Sequence, residues 1–196
     1  MNKKRYFIKI LSNILIFPLG ILDPFEYYLK RFYYFLKAAR KITNLDPSVQ
    51  FDGTVYIQGT RNIMLGMTSR IGSFVELETV GKGKINIGSN VRINRGCTIC
   101  SYSDVNIGDY TLIGEYTSIR DANHGTDSNE LIRMQDHVAK EIEIGNDVWI
   151  GRGSCILPGV KIGHGSVIGA NSVVTKNIPA LSIAVGAPAR VIKKRN

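Results

Sequence analysis

Isoleucine or valine recurs every six residues in the second half of the chain, and this period constrains the fold more than any other feature. From residue 144 the sequence reads IGNDVW, IGRGSC, ILPGVK, IGHGSV, IGANSV and VTKNIP without interruption. An amphipathic helix would repeat its apolar face every 3.6 residues, so the pattern excludes one. The same six-residue spacing is found upstream in two blocks separated by an insertion: Ile87, Ile93 and Ile99, then Ile107, Ile113 and Ile119.

The six-residue unit predicts a strand of about four residues followed by a corner of about two. Three such sides close a triangular coil, and successive coils stack so that their backbones pair as parallel strands. Residues eighteen apart then lie above one another, as Ile144 and Ile162 would. Strand alternation also turns the residue two before each isoleucine inward, which predicts a second inward set: Val148, Ser154, Val160, Ser166 and Ser172.

The net charge of +9 is concentrated at one end of the chain. Residues 1–41 contain nine Lys and Arg against two acidic residues, a net charge of +7, and the remainder is nearly neutral. That remainder has no basic stripe with interleaved aromatic residues, so nucleic acid is not an expected partner. Three irregularly spaced cysteines do not form a disulfide framework and favour a reducing, cytoplasmic compartment.

Residues 1–45 are predicted to form a basic, aromatic helical arm ahead of a repeat domain at 46–196. The apolar run at 6–22 is shorter than the roughly 20 residues that span a bilayer. Asp23-Pro24 then predicts a helix start, followed by a stripe at helical spacing: Phe25, Leu29, Phe32 and Leu36. We expect residues 1–41 to make peripheral contact with the inner face of the cell membrane. Packing of the stripe on the body or on a neighbouring subunit is the alternative.

The repeat register fails between Ile119 and Ile144, and this break predicts an extruded loop at about 120–143. A loop of that length within a compact repeat is usually functional or disordered. His124, in the stretch RDANHGTD, lies at its base, where an imidazole could accept a proton from an attacking hydroxyl. Asp121 or Asp127 could orient the ring through its other nitrogen, and the sequence does not choose between them.

The motifs NHGTD, IEIGNDVWIG, ILPGV and VGAPARVIKK give the chain a family resemblance over roughly residues 60–194. On them the chain resembles the hexapeptide-repeat acyltransferases, in particular the sugar O-acetyltransferases of the galactoside, maltose and nodulation-factor type. The resemblance implies an all-β body folded as a left-handed parallel β-helix, to which this chain adds its helical arm. It also implies a homotrimer with its sites between subunits, and acetyl-CoA as co-substrate without a metal.

The resemblance also assigns residues. It implies His124 as the general base of direct acetyl transfer, and Asn94 and Tyr102 as acceptor contacts. Because Tyr102 stands where the galactoside enzymes have an aspartate, a different acceptor preference is expected. The cofactor positions it implies are Trp149, Arg152, Gly153, Ala170, Thr175, Lys176, Arg190 and Lys193. Strand alternation turns Trp149 outward, and backbone N–H groups near Gly151 and Gly153 are expected donors to the oxyanion.

These expectations converge on O-acetylation of a sugar in surface polysaccharide biosynthesis, with a free, lipid-linked or nucleotide-linked sugar as acceptor. Two alternatives remain: N-acetylation of an amino-sugar nucleotide, and a non-catalytic β-helix scaffold that needs neither base nor CoA-binding cations. The three histidines also resemble the zinc ligands of γ-class carbonic anhydrases. Their spacings of thirteen and twenty-seven do not obviously converge on one tetrahedral site, so no metal is expected.

Overall fold

A computed structural model describes residues 25–196, which form one helix and a stack of parallel β-coils. Helix α1 covers residues 25–39. Face 1 of the stack contains β1 (Gln50–Phe51), β4 (Arg70–Ile71), β7 (Arg92–Ile93), β10 (Leu112–Ile113), β15 (Trp149–Ile150), β18 (Val167–Ile168), β20 (Ser182–Gly186) and β21 (Ala189–Lys194). Face 2 contains β2 (Tyr56–Gly59), β5 (Glu76–Thr79), β8 (Thr98–Ser101), β11 (Ser118–Arg120), β16 (Cys155–Ile156) and β19 (Val173–Val174). Face 3 contains β3 (Ile63–Leu65), β6 (Lys84–Ile87), β9 (Asp104–Ile107), β14 (Ile142–Ile144) and β17 (Lys161–Ile162).

Each coil contributes one strand to each face in turn, and about seven coils stack into a β-solenoid, as the six-residue period predicts. The register confirms the predicted stacking, because Ile144 pairs with Ile162 and Ile150 with Ile168. All strand pairs within the three faces are parallel except the last, where β20 and β21 form an antiparallel hairpin that ends the stack.

The interior of the coil is a column of aliphatic side chains with small hydroxyl residues between them. All five residues of the predicted second inward set are at most 1% exposed. The serine hydroxyls among them donate to carbonyls of the corners, such as Ser154 Oγ to the Gly151 oxygen at 2.8 Å. Ser166 Oγ donates to the Pro179 oxygen in the same way, also at 2.8 Å. These bonds satisfy polar groups that would otherwise destabilise the core.

The three faces are joined by three corners, which serve to locate surface side chains. We call the corner from face 1 to face 2 the first corner, from face 2 to face 3 the second, and from face 3 to face 1 the third. Glycines stack at the first and third corners because the coils approach too closely for a side chain. A Cβ on Gly151 would lie 2.5 Å from the Ala170 nitrogen, and one on Gly163 would lie 2.3 Å from the Ala180 nitrogen.

Helix α1 packs one face against the start of the β-stack. Ala38 and the following Ile42 belong to the buried core, and Tyr34 and Phe35 pack against it. The predicted stripe lies elsewhere on the helix, and all four of its residues are 47–63% exposed. The predicted helix start at Asp23-Pro24 and the apolar run at 6–22 lie outside the described residues. Within 25–196 no helix is long and apolar enough to cross a membrane.

Candidate active site

The loop between β11 and β14 leaves the stack at the second corner and is an ordered hairpin. Its strands are β12 (Ala122–His124) and β13 (His137–Ala139), which pair antiparallel, and a short 3-10 helix, Ile132–Met134, lies between them. Backbone bonds fix the register at both ends of the hairpin. Lys140 N donates to the Asp121 oxygen at 2.8 Å, and Gly125 N donates to the Asp136 oxygen at 3.0 Å.

Three aromatic rings gather at the base of this hairpin. His124 and His137 are direct cross-strand partners, with ring centroids 4.3 Å apart and planes inclined by 42°. Tyr102 lies at the same corner one coil earlier. Its ring stacks on the ring of His137, with the centroids 4.5 Å apart and the planes inclined by 25°. A contact between His137 and His124 is not predicted from the sequence. Only the hairpin register, which brings together two histidines thirteen residues apart, reveals it.

Neither aspartate considered as a partner for His124 is hydrogen-bonded to it. Asp121 is fully buried and caps the turn after β8, where its carboxylate accepts from Ser101 Oγ at 2.9 Å, Tyr102 N at 2.7 Å and Ser103 N at 2.8 Å. The carboxylate of Asp127 accepts from the backbone and side-chain nitrogens of Asn129, at 2.8 and 2.9 Å. Both carboxylates therefore shape the backbone around the site, in place of the direct contact with His124 that the sequence suggested.

The second corner offers no thiolate that could form a covalent intermediate. Cys100 is on the outer side of face 2 but is completely buried, and its thiol donates to Glu78 Oε2 at 3.3 Å. Burial, followed by this hydrogen bond, raises the pKa of Cys100 to about 12, so the thiol stays protonated at neutral pH. Burial also raises the pKa of the Tyr102 phenol. The exposed imidazoles of His124 and His137 remain as proton acceptors at this corner, and His124 is the one that the sequence predicts.

The other residues implied by the resemblance fall into separate groups on the protomer. The second corner, with His124 and Tyr102, also holds Thr175 and Lys176 two coils further on, a distance of about 10 Å at the usual strand spacing. The first corner holds Asn94, Arg152, Gly153 and Ala170. All of face 2 separates the two corners. A single protomer therefore does not bring Asn94 or Arg152 next to His124.

At the first corner a cleft of about 520 Å³ is lined by Asn94, Arg95, Tyr116, Arg152 and other residues. Asn94 follows the isoleucine of β7, at the position where neighbouring coils have glycine. The guanidinium of Arg152 pairs with Glu115 at 3.1 Å. The pKa of Glu115 is lowered, first by a hydrogen bond to its own backbone and then by Arg152. The side chain of Arg152 is therefore already engaged, which leaves its backbone for the cofactor contact considered from sequence.

At the first corner, the N–H groups of Gly151 and Gly153 themselves are hydrogen-bonded within the stack. Gly151 N donates to the Ile168 oxygen at 2.8 Å, and Gly153 N donates to the Glu115 oxygen at 2.9 Å. Parallel stacking uses these N–H groups to join the coils, and a period read from sequence does not show which corner amides are left over.

Trp149 points outward from face 1, as strand alternation predicts, and is 55% exposed. Its register neighbours on the adjacent strands are Leu112 and Val167. Arg190 and Lys193 lie on β21, at the end of the same face, and both are exposed. Lys176 is exposed at the second corner. The cations implied for CoA phosphates are thus accessible, but they lie on two parts of the protomer.

The three histidines do not form a metal centre. His164 lies at the third corner, away from His124 and His137 at the second. Within residues 25–196 no group of three histidine, cysteine, aspartate or glutamate side chains is arranged to hold a metal ion.

Comparison of the sequence with protein-family models gives one match, over residues 141–176, to "Bacterial transferase hexapeptide (six repeats)". These residues contain the uninterrupted six-residue register and the corner glycines described above. No curated protein sequence matches the chain.

Solved structures share the fold over most of the chain. A point mutant of AntD, an N-acyltransferase from Bacillus cereus bound to dTDP-4-amino-4,6-dideoxyglucose and coenzyme A, is 25% identical with a TM-score of 0.71, and the match covers 82% of this chain and 88% of that one. A hexapeptide-repeat acetyltransferase from Vibrio cholerae with acetyl-CoA is 26% identical with a TM-score of 0.53, over 74% and 72%. A galactoside acetyltransferase with coenzyme A is 32% identical with a TM-score of 0.52, over 74% and 66%.

Proposed function

We propose that this chain, which carries the hexapeptide repeats of bacterial transferases, is an acyltransferase that moves the acetyl group of acetyl-CoA to a sugar hydroxyl. The observation that carries the proposal is the position of His124. The β-stack is interrupted only by its hairpin between β10 and β19, and this hairpin holds an exposed imidazole against a rigid corner. The three solved structures described above are acyltransferases with CoA or acetyl-CoA bound, which supports the choice of donor.

The chemistry follows from the His124 imidazole acting as a base beside an acceptor hydroxyl. A ring nitrogen of His124 accepts the hydroxyl proton while the oxygen attacks the thioester carbonyl, so that a C–O bond forms and a tetrahedral oxyanion develops. Collapse of the oxyanion breaks the C–S bond, and the imidazolium returns its proton to the departing CoA sulfur. No covalent enzyme intermediate is needed, in agreement with the protonated, buried state of Cys100.

The complete site is formed between two protomers of a homotrimer. The separation of the first and second corners by face 2 supports this arrangement, because one protomer cannot place Asn94 and Trp149 against its own His124. A neighbouring copy would supply its first corner and face 1 to the groove beside the hairpin. Light scattering is expected to give three times the chain mass of 21.7 kDa, and an active monomer would contradict this arrangement.

N-acetylation of an amino-sugar nucleotide is the second candidate. The structural overlap with AntD favours it, because AntD is an N-acyltransferase bound to a dTDP-amino-sugar and covers more of the chain than the galactoside enzyme does. The same base would serve an attacking amine. The motif NHGTD, shared in the resemblance with sugar O-acetyltransferases, favours the hydroxyl.

A substrate panel tests the proposal and separates the two candidates. The protein is incubated with acetyl-CoA and matched pairs of nucleotide sugars that differ only in a hydroxyl or an amine at one carbon, and the products are weighed by mass spectrometry. An added acetyl group on the hydroxyl partner is the expected result. Acetylation of the amine partner alone would replace it with the second candidate, and release of CoA without any acetylated sugar would contradict both.

We propose that the arm holds this activity at the inner face of the cell membrane, with lipid-linked precursors of surface polysaccharides as acceptors. The inner face of α1 is used in packing, yet the opposite face carries a second apolar surface, which we call the outer stripe: Phe25, Leu29, Phe32 and Leu36. Exposed cations at Lys37, Arg40 and Lys41 flank it. Aromatic and basic residues in this arrangement fit the headgroup region of an anionic bilayer.

Vesicle flotation tests the membrane contact. The full chain is expected to float with phosphatidylglycerol vesicles and to remain below with phosphatidylcholine vesicles or at high salt. The double change Phe32→Ser with Leu36→Ser should abolish flotation. Met64→Ser, which alters an equally exposed apolar residue on face 3, is the matched control and should not. Unchanged flotation of the double variant would contradict the membrane contact. If the double variant instead formed a smaller oligomer than the unaltered protein, the outer stripe would be assigned to contact with a second copy of the chain.

A further inference from the structure

The imidazole of His124 has no hydrogen-bonding partner that could set its orientation. Among residues 25–196 neither of its ring nitrogens takes part in a hydrogen bond, and both nearby aspartates are bonded elsewhere. The side chain is also exposed, so core packing does not hold it. A general base in direct acyl transfer must nevertheless keep its nitrogen in line with the attacking oxygen, since a misplacement of 1 Å can lower the rate about 100-fold.

Ring contacts take the place of the missing hydrogen bond. The His124 ring rests against His137, with centroids 4.3 Å apart, and His137 stacks on Tyr102 with centroids 4.5 Å apart. Direct cross-strand partners point to the same side of a hairpin with their Cβ atoms about 5 Å apart, which allows such a contact without strain. A slip of one residue in the register would place Val138 opposite His124 and remove it.

The stack is anchored to the rigid coil at its far end. The Tyr102 backbone N–H donates to the buried carboxylate of Asp121 at 2.7 Å, and that carboxylate also holds Ser101 and Ser103. Asp121 thus fixes the backbone from which the Tyr102 ring projects. The chain of contacts runs from the coil through Asp121 and Tyr102 to His137, and from there to His124.

We infer that His137, held on Tyr102, is the positioning residue that orients the catalytic imidazole of His124. This inference rests on the proposed function for its kinetic consequence, but the arrangement of the rings is a property of the protein itself. Shape is the requirement, because the contact is made by a flat ring between two other rings. A phenyl ring at position 137 should therefore retain most of the effect, whereas a methyl group should not.

Histidine NMR tests the stack without any substrate. With three histidines in the chain, the ring C–H signals of His124 can be assigned by single substitutions. Stacked neighbours shift these signals through their ring currents. His137→Ala should move the His124 signals towards their values in an unfolded peptide, and His137→Phe should keep them displaced. His164→Ala removes a histidine at another corner and is the matched control, with no expected change.

Kinetics of the same variants test the positioning role. His137→Ala should lower kcat by about 10- to 100-fold, equivalent to about 1.4 to 2.7 kcal/mol, with KM for the acceptor within about twofold. His137→Phe should lose less than threefold. Equal losses in both variants would overturn the inference in favour of a chemical role for the His137 nitrogens, and normal kcat in His137→Ala would also overturn it. Absence of acyl transfer in the unaltered protein would instead remove the proposed function, and the NMR shifts would still decide whether the stack exists.

Discussion

Replacement of Asp121 by Ala should destabilise the protein far more than replacement of Asp127, although both carboxylates belong to the same loop. Asp121 is fully buried, and its removal leaves three donors without an acceptor: the Ser101 hydroxyl and the N–H groups of Tyr102 and Ser103. A buried donor left without a partner costs about 1–3 kcal/mol. Because the corner can relax and admit water, we expect the free energy of unfolding to fall by about 3–5 kcal/mol rather than by the full sum.

The measurement is urea denaturation of both variants beside the unaltered protein, followed by circular dichroism. The exposed carboxylate of Asp127 bonds only to Asn129, two residues away, so Asp127→Ala should lower the free energy of unfolding by less than about 1 kcal/mol. A thermal scan should show the same order, with the melting temperature of Asp121→Ala lower by about 10 °C. Equal stabilities of the two variants would refute the assignment of Asp121 as the anchor of the turn.

Two further predictions concern the coil. Gly151→Ala should lower the free energy of unfolding by more than about 2 kcal/mol, since the new methyl group would lie 2.5 Å from the Ala170 nitrogen and force the coils apart; an unchanged urea midpoint would contradict this stacking. In the folded protein at pH 8, iodoacetamide should modify Cys155 alone. Burial shields Cys97 and Cys100 and raises their pKa values to about 11 and about 12, so both stay protonated below those values. Mass spectrometry should find one added group, and three after denaturation.

The period of the repeat was sufficient to predict the body of the fold. A six-residue recurrence fixes strand length, corner length and the vertical neighbour eighteen residues away, and Ile144 pairs with Ile162 as expected. The six-residue pattern does not predict which backbone groups at the corners are hydrogen-bonded. Parallel stacking engages the amides of Gly151 and Gly153, which the six-residue period does not reveal. A sequence shows where a corner lies but not which of its N–H groups remain free.

Only part of the candidate site can be predicted from the sequence, for a similar reason. The interruption of the register identified the loop and His124, because a break in a regular pattern is visible in one dimension. His137 was missed because its proximity depends on hairpin register, which the mixed polar and apolar loop sequence does not specify. Burial of Asp121 was equally hidden, since a charged residue in a polar segment gives no sign that three donors surround it.

The most direct test of the proposed function is acetyl transfer by His124→Ala. The variant should bind CoA, measured by calorimetry, and unfold in urea as the unaltered protein does, because the His124 side chain is exposed and makes no hydrogen bond. Transfer from acetyl-CoA to the accepted sugar should fall to the uncatalysed level or by at least about 100-fold, the lower end of the range for a lost general base. Turnover within a few-fold of the unaltered protein would contradict a mechanism in which this imidazole takes the acceptor proton.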